Sequence, residues 1–225
     1  MTDMPIKTEK LSMTLGLWIA VVVAIRLTNS LSELPWLNQY SGTLTAVLLV
    51  YPPVLFSFYT RSPIIFWKID GPTIQNSLLA FALLSFLVFP FVFAGNHLYQ
   101  NRFFGFTYHA ASNHELWSIA LAQFVIVAFP EEFFFRGYLQ EALSKHFPPT
   151  AKLFGVPFGR AQWLTIGLFA LSHSLITLQW WHVFIVVPAI GFGWLKEKTG
   201  RIWAGALFHA ACNVFSSWVF LHYHS

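Results

Sequence analysis

The chain has 225 residues, 56% of them hydrophobic and 19% aromatic, and only 10% are charged, against about 25% in an ordinary soluble domain. That composition excludes a soluble globular protein, and although the formal net charge is +4, the thirteen Lys and Arg lie thinly spread between apolar blocks and form no basic stripe that would track nucleic acid. Cys212 is the only cysteine, which excludes an internal disulfide, a thiolate zinc site and a redox pair.

Lys7 and Lys10 precede an apolar run from Leu11 to Ile25 that has the outline of a signal peptide. No small-x-small cleavage site follows it cleanly, so a retained first helix is expected. The apolar blocks place helices at about 11 to 29, 42 to 59, 75 to 94, 115 to 146, 162 to 178, 181 to 196 and 201 to 221, several of them reaching the roughly 17 to 25 residues that span a bilayer. The expected fold is all-α: a polytopic transmembrane helical bundle of about seven spans. The fourth is long, and Pro130 in its middle lacks an N–H and is expected to bend it.

The connections sort by charge. Lys7 and Lys10 come before the first span, Arg61 and Lys68 after the second, Lys145, Lys152 and Arg160 after the fourth, and Lys196, Lys198 and Arg201 after the sixth. The alternate connections hold almost none, Arg102 being the main exception. The positive-inside rule then puts the N-terminus in the cytoplasm and the C-terminus outside. The segment 95 to 114, with His97, Arg102, His109 and His114, reads as an exposed loop. No repeat, low-complexity tract or linker interrupts residues 1 to 225, which read as one membrane-embedded domain.

Ionisable residues inside a span are costly and point to function. Glu131, Glu132 and Arg136 lie in the fourth span, His173 in the fifth, His209 and Asn213 in the seventh. Four residues make about one helical turn, so Glu132 and Arg136 share a face and can pair, while Glu131 is turned roughly 100 degrees away. Phe169 with His173, and His209 with Asn213, repeat the spacing. Taken singly, each has a bland explanation: a structural clamp, a core histidine, an amide between helices. Taken together, three polar stripes that lipid would reject are accommodated most economically around one wet cavity, and depth counting puts that cavity in the cytoplasmic half. A carboxylate without a cation in a low-dielectric cavity holds its proton more tightly than in water and can act as general base near neutral pH. A histidine opposite can hold the same water, and His209 and Asn213 can donate to the oxyanion formed when water attacks a carbonyl.

The stretches Glu131-Glu132-Phe-Phe-Phe-Arg136, Phe169-Ala-Leu-Ser-His173 and His209-Ala-Ala-Cys-Asn213 resemble the EExxxR, FxxxH and HxxxN motifs of the CPBP family, the CAAX proteases and bacteriocin-processing enzymes also called Abi. The run from Gly191 through Trp194, Glu197, Gly200 and Trp203 to His209 is similar as well, and the likeness covers roughly residues 115 to 220. It implies an intramembrane glutamic endopeptidase: Glu131 as general base, His173 helping to hold the water, His209 and Asn213 as oxyanion hole, Glu132 and Arg136 orienting the site, and Phe169 packing beneath His173. No cofactor is expected. Zinc on Glu131, His173 and His209 is the alternative, disfavoured because Asn213 is a poor zinc ligand. The expected partners are the bilayer and a membrane-associated peptide or protein, with no nucleic acid. The expected location is the cytoplasmic (inner) membrane of a prokaryote, with true CAAX processing not expected there. The competing readings are a proton-coupled transporter, against which the chain shows no duplicated halves, and a catalytically idle immunity or scaffold protein of the same family.

Overall fold

The computed structural model describes residues 11–31, 33–60, 69–110 and 116–225. It is a helical bundle: α1 (Leu11–Ser30), α2 (Pro35–Thr60), α3 (Gly71–Phe104), α4 (Leu116–His146), α5 (Arg160–Thr177), α6 (Val186–Thr199) and α7 (Trp203–His222). A 3₁₀ turn, Trp180–Ile185, leads into α6. Five of these helices, α1 to α4 and α7, are long and apolar enough to cross a membrane among the described residues. Lys7, Lys10, Arg61, Lys68 and His114 lie outside the described residues.

The helices alternate in direction, so one end of the bundle gathers the connection from α4 to α5 and that from α6 to α7, with Lys145, Lys152, Arg160, Lys196, Lys198 and Arg201. The opposite end carries His97, His109, His182, His222 and His224. A two-stranded ribbon closes each end. At the basic end β2 (Ala151–Leu153) pairs antiparallel with β3 (Val156–Phe158), and Phe154 and Gly155 turn between them at φ of 48° and 80°. At the histidine-rich end β1 (Thr107–Tyr108) pairs with β4 (Tyr223–His224), fastening the connection after α3 to the end of α7.

The segment 95 to 114 is therefore not a loop over its described part. α3 continues through His97 and Tyr99, ends in a π-helical turn at Gln100–Phe104, and is followed by β1. His97 and Arg102 sit on this helix, which Gly105, at φ of 68°, ends in the left-handed conformation glycine tolerates, while His109 follows β1 and donates its backbone N–H to the His222 carbonyl at 2.8 Å. α3 is also the most apolar of the five spans, yet none of its hydrophobic window is buried. Phe86 and Phe91 are 83% and 75% exposed. Such a surface suits lipid, not water.

The core is assembled on α4. From Phe133 to Leu139 every side chain is buried, packed against Ile166 and Phe169 of α5, Phe192 and Leu195 of α6, and Ala204 and Phe208 of α7. α1 seals one flank with Trp18, Val21, Val22 and Ile25, spaced to one face, and Trp18 donates its indole N–H to Ser172 Oγ at 2.9 Å. Pro130 disturbs α4 through its winding: π-helical stretches at Gln123–Ala128 and Phe133–Leu139 flank a short α-helical piece, Phe129–Glu132. Pro130 has no N–H for the carbonyl four residues back, and the local rewinding absorbs the lost bond.

Candidate active site

Glu131 and Glu132 stand on that α-helical piece between the two π stretches. The Glu132 side chain has no solvent exposure. Its Oε1 accepts from Arg136 Nη1 at 3.0 Å, the pair expected one turn apart, and from His209 Nδ1 at 3.1 Å. The guanidinium, also fully buried, lies 4.2 Å from the Phe169 ring centre and 5.1 Å from that of Phe192, and its Nη2 donates weakly to the Ala189 carbonyl at 3.4 Å. Stacking on two aromatic faces substitutes for the hydration that a buried cation loses.

Glu131 points the other way and keeps some exposure, 14%. Its Oε2 is 3.6 Å from His173 Nε2 and 3.7 Å from His209 Nε2, beyond direct hydrogen-bond reach. That oxygen has no hydrogen-bond partner.

The two imidazoles are oriented by their other nitrogens. His173 Nδ1 donates to the Phe169 carbonyl at 2.9 Å, and a carbonyl can only accept, so this nitrogen carries the hydrogen. His209 Nδ1 donates to the Glu132 carboxylate by the same logic. In each neutral ring Nε2 is then an acceptor, and both face the Glu131 oxygen. Three acceptors converge on one point, which suits a group with hydrogens to give. Aromatic packing fixes the rings: Phe169 meets His173 edge-on at 4.6 Å, and Phe192 stacks on His209 at 4.5 Å and 14°.

Glu131, Glu132, Arg136, Phe169, His173 and His209 are thus brought together. Asn213, one turn past His209, donates its amide to Gln123 Oε1 at 2.9 Å. Sequence reasoning missed Gln123, Phe192 and Gly205. It started from ionisable groups and the residues spaced four from them, which passed over an uncharged glutamine in the same span as Glu131. Phe192 sits inside the 191-to-209 run but reads as ordinary packing. Gly205 matters because a Cβ there would lie 3.1 Å from Glu132 Oε2, a closeness no linear pattern reveals.

Depth differs from expectation. Glu131 is midway along α4, and His209 is six residues into α7 from the basic end, but His173 is only four residues from the end of α5 at Thr177. His209 lies in the half of α7 nearer the basic end and His173 in the half of α5 nearer the histidine-rich end, because α5 and α7 are staggered. Among the described residues no group of three or more His, Cys, Asp or Glu side chains is placed to hold a metal ion.

Comparison with protein families decides the class. A model described as type II CAAX prenyl endopeptidase, Rce1-like, matches residues 113–215. Over those residues, a little under half of its length, the chain is similar to the Rce1-like CAAX endopeptidases. The matched stretch takes in α4 to α6 and most of α7, and with them all seven site residues named above from the sequence. With five helices long and apolar enough to cross a bilayer, the chain is a multi-pass membrane protein whose matched part resembles a membrane peptidase. No curated protein and no solved structure matches it.

Proposed function

We propose that the chain hydrolyses a peptide bond of a membrane-associated substrate by glutamate-activated water. The observation that carries this reading is the convergence of Glu131 Oε2 with the Nε2 atoms of His173 and His209 at 3.6 and 3.7 Å, each ring tied back through Nδ1. A water in that space donates one hydrogen to Glu131 and the other to His173, which turns an oxygen lone pair toward a bound carbonyl carbon. As the C–O bond forms, the proton passes to Glu131 and then to the leaving amine. The oxyanion needs donors. Asn213 has a second amide hydrogen besides the one given to Gln123, and His209 is the second donor when its Nε2 carries a hydrogen, Nδ1 staying on Glu132 and the water then being held by Glu131 and His173 alone. Glu132 and Arg136 are positioning residues in this scheme, and Phe169 is the shelf that both His173 and Arg136 rest on.

The same reading places seven helices in a cytoplasmic membrane of a prokaryote with the basic end inside. α5, with 18 residues, and α6, with 14, measure about 27 and 21 Å at 1.5 Å per residue, short of a hydrocarbon core of about 30 Å. They serve as central helices shielded by the longer ones.

Glu131→Gln keeps the shape of the side chain and removes the base. It is expected to abolish cleavage of a membrane-tethered reporter, by about 10²-fold or more, while the purified protein keeps its melting temperature. Full activity in that variant sinks the glutamate mechanism, and activity lost on exhaustive chelation and restored by zinc replaces it with the metal-dependent one.

A further inference from the structure

We propose that the groove between the start of α3 and the end of α6 is a binding site for an anionic glycerophospholipid. The groove holds about 320 Å³ and is lined by Asn76, Leu79, Ala80 and Leu83 of α3 and by Lys198 and Thr199 of α6. It shares no residue with the candidate active site.

Its polar groups gather at one end. α3 begins at Gly71 and α6 ends at Thr199, so Asn76 and Lys198 both stand at the basic end of the bundle. Thr199 is occupied: its hydroxyl donates to the Leu195 carbonyl at 2.8 Å and accepts from the Arg201 N–H at 3.3 Å. Lys196 is occupied too, held by Glu141 at 2.7 Å and Glu197 at 3.2 Å. Lys198 differs. No carboxylate among the described residues lies within ion-pair distance of it, and its ammonium stands 5.9 Å from the Trp194 ring centre. Asp70, at the head of α3, is turned onto its own helix and accepts the Thr73 N–H at 2.8 Å. The groove therefore presents an exposed ammonium and an exposed amide, and Arg201, three residues on, adds a second cation.

The rest of the groove is apolar. Asn76, Leu79, Ala80 and Leu83 fall at i, i+3, i+4 and i+7, which is one face of α3, and from the first to the last that face rises about 10 Å. Leu79 and Leu83 are 58% and 63% exposed, on the span whose hydrophobic window has no buried residue. Trp194 and Lys198, one turn apart on α6, are residue types that settle where headgroups meet hydrocarbon. The polar end thus stands at headgroup level, and the leucine face leads from it into the acyl region.

Charge and size name the occupant. A lipid whose headgroup carries a phosphate and no cation answers the unpaired ammonium, whereas a choline headgroup brings its own cation, for which the groove lining has no carboxylate. The Asn76 amide both donates and accepts, which suits headgroup hydroxyls. A volume of about 320 Å³ is at the lower end of the roughly 300–1,000 Å³ of small-molecule pockets, room for a headgroup and the first part of a chain that continues along Leu79 and Leu83. A lipid seated there holds α6 against α3, and α6 carries the Phe192 ring that stacks on His209.

The experiment is native mass spectrometry of the detergent-purified full chain titrated with phosphatidylglycerol and with phosphatidylcholine of identical acyl chains. Phosphatidylglycerol is expected to be retained about fivefold better, the effect of one Lys or Arg near a lipid surface. Lys198→Gln should erase that preference and Lys198→Arg should keep it, while Leu83→Trp, which fills the apolar part and leaves the charge, should lower retention of both lipids. Lys145→Gln, at the same end but outside the groove, should change nothing. Lys198 and Leu83 are exposed, so these variants are expected to melt with the parent. A preference that survives Lys198→Gln, or that Lys145→Gln removes equally, overturns the proposal, as does a Leu83→Trp variant that binds normally while inorganic phosphate displaces the lipid, the mark of a free-anion site. Binding is read without cleavage, so the outcome is independent of the peptidase reading.

Discussion

Replacing Arg136 by methionine tests whether the buried frame and the chemistry are separable. The Arg136–Glu132 pair has no solvent exposure on either side and a 3.0 Å contact, so no screening discount applies. Removing the cation leaves the Glu132 carboxylate buried and uncompensated, a loss of about 3–5 kcal/mol. Methionine keeps a side chain over the Phe169 and Phe192 rings, which recovers about 0.3–1.5 kcal/mol per contact. At about 2–4 °C per kcal/mol for a chain of this size, a net loss of about 1–4 kcal/mol lowers the melting temperature by roughly 2–16 °C in detergent. The double variant Glu132→Met with Arg136→Met buries no charge and is expected to regain most of that loss. Cleavage should stay down by about 10²–10⁴-fold, because His209 Nδ1 then has no carboxylate to fix its tautomer. Melting curves and reporter cleavage on the same preparations check both halves. A double variant as unstable as Arg136→Met refutes the electrostatic account of the frame, and one that cleaves normally refutes the positioning of His209 by Glu132.

Two further substitutions probe groups the sequence did not advertise. Gly205→Ala adds a Cβ 3.1 Å from Glu132 Oε2 and 3.4 Å from the Phe192 carbonyl. Its helix propensity gain of about 1 kcal/mol offsets much of an overpacking cost of about 1–3 kcal/mol, so melting should move by a few degrees while reporter cleavage falls about tenfold; unchanged cleavage means the carboxylate has room to shift. Gln123→Leu removes the acceptor that holds the Asn213 amide at 2.9 Å and is expected to lower kcat about tenfold with KM little changed. Gln123→Glu, which keeps an acceptor oxygen, should retain more activity than the leucine variant, and equal loss in both rejects the positioning role.

Helix existence was legible because apolar run length is a property of the chain alone. All seven segments appear near their expected positions, with ends displaced where a polar stretch continued a helix, as at His97 to Phe104 of α3. The sixth is the informative case: its first turn, Trp180–Ile185, winds as a 3₁₀ helix before α6 begins at Val186, and apolar content does not distinguish the two windings. The Glu132–Arg136 contact was legible as well, since an i,i+4 spacing brings side chains together on one helix. What spacing could not give was the partner across helices. That His209 binds Glu132 through Nδ1, that Asn213 binds Gln123, and that Phe192 stacks on His209 all depend on the stagger of α7 against α4 and α6. Only packing sets that stagger.

Glu131 and Glu132 show how one turn of helix divides two tasks. Adjacent residues on an α-helix diverge by about 100°. Glu132 is directed into the closed half of the bundle, where Arg136, His209 and the space left by Gly205 fix it. Glu131 is directed into the cavity that reaches Asn29 and Thr177, with one oxygen lacking a hydrogen-bond partner. A carboxylate locked by a cation is a poor base, and one open to bulk water has no means of excluding it from the wrong face of a substrate. The short α-helical piece at Phe129–Glu132, held between two π-helical stretches, sets both directions at once. Any change that rewinds it, such as returning an N–H at Pro130, should therefore disturb frame and base together.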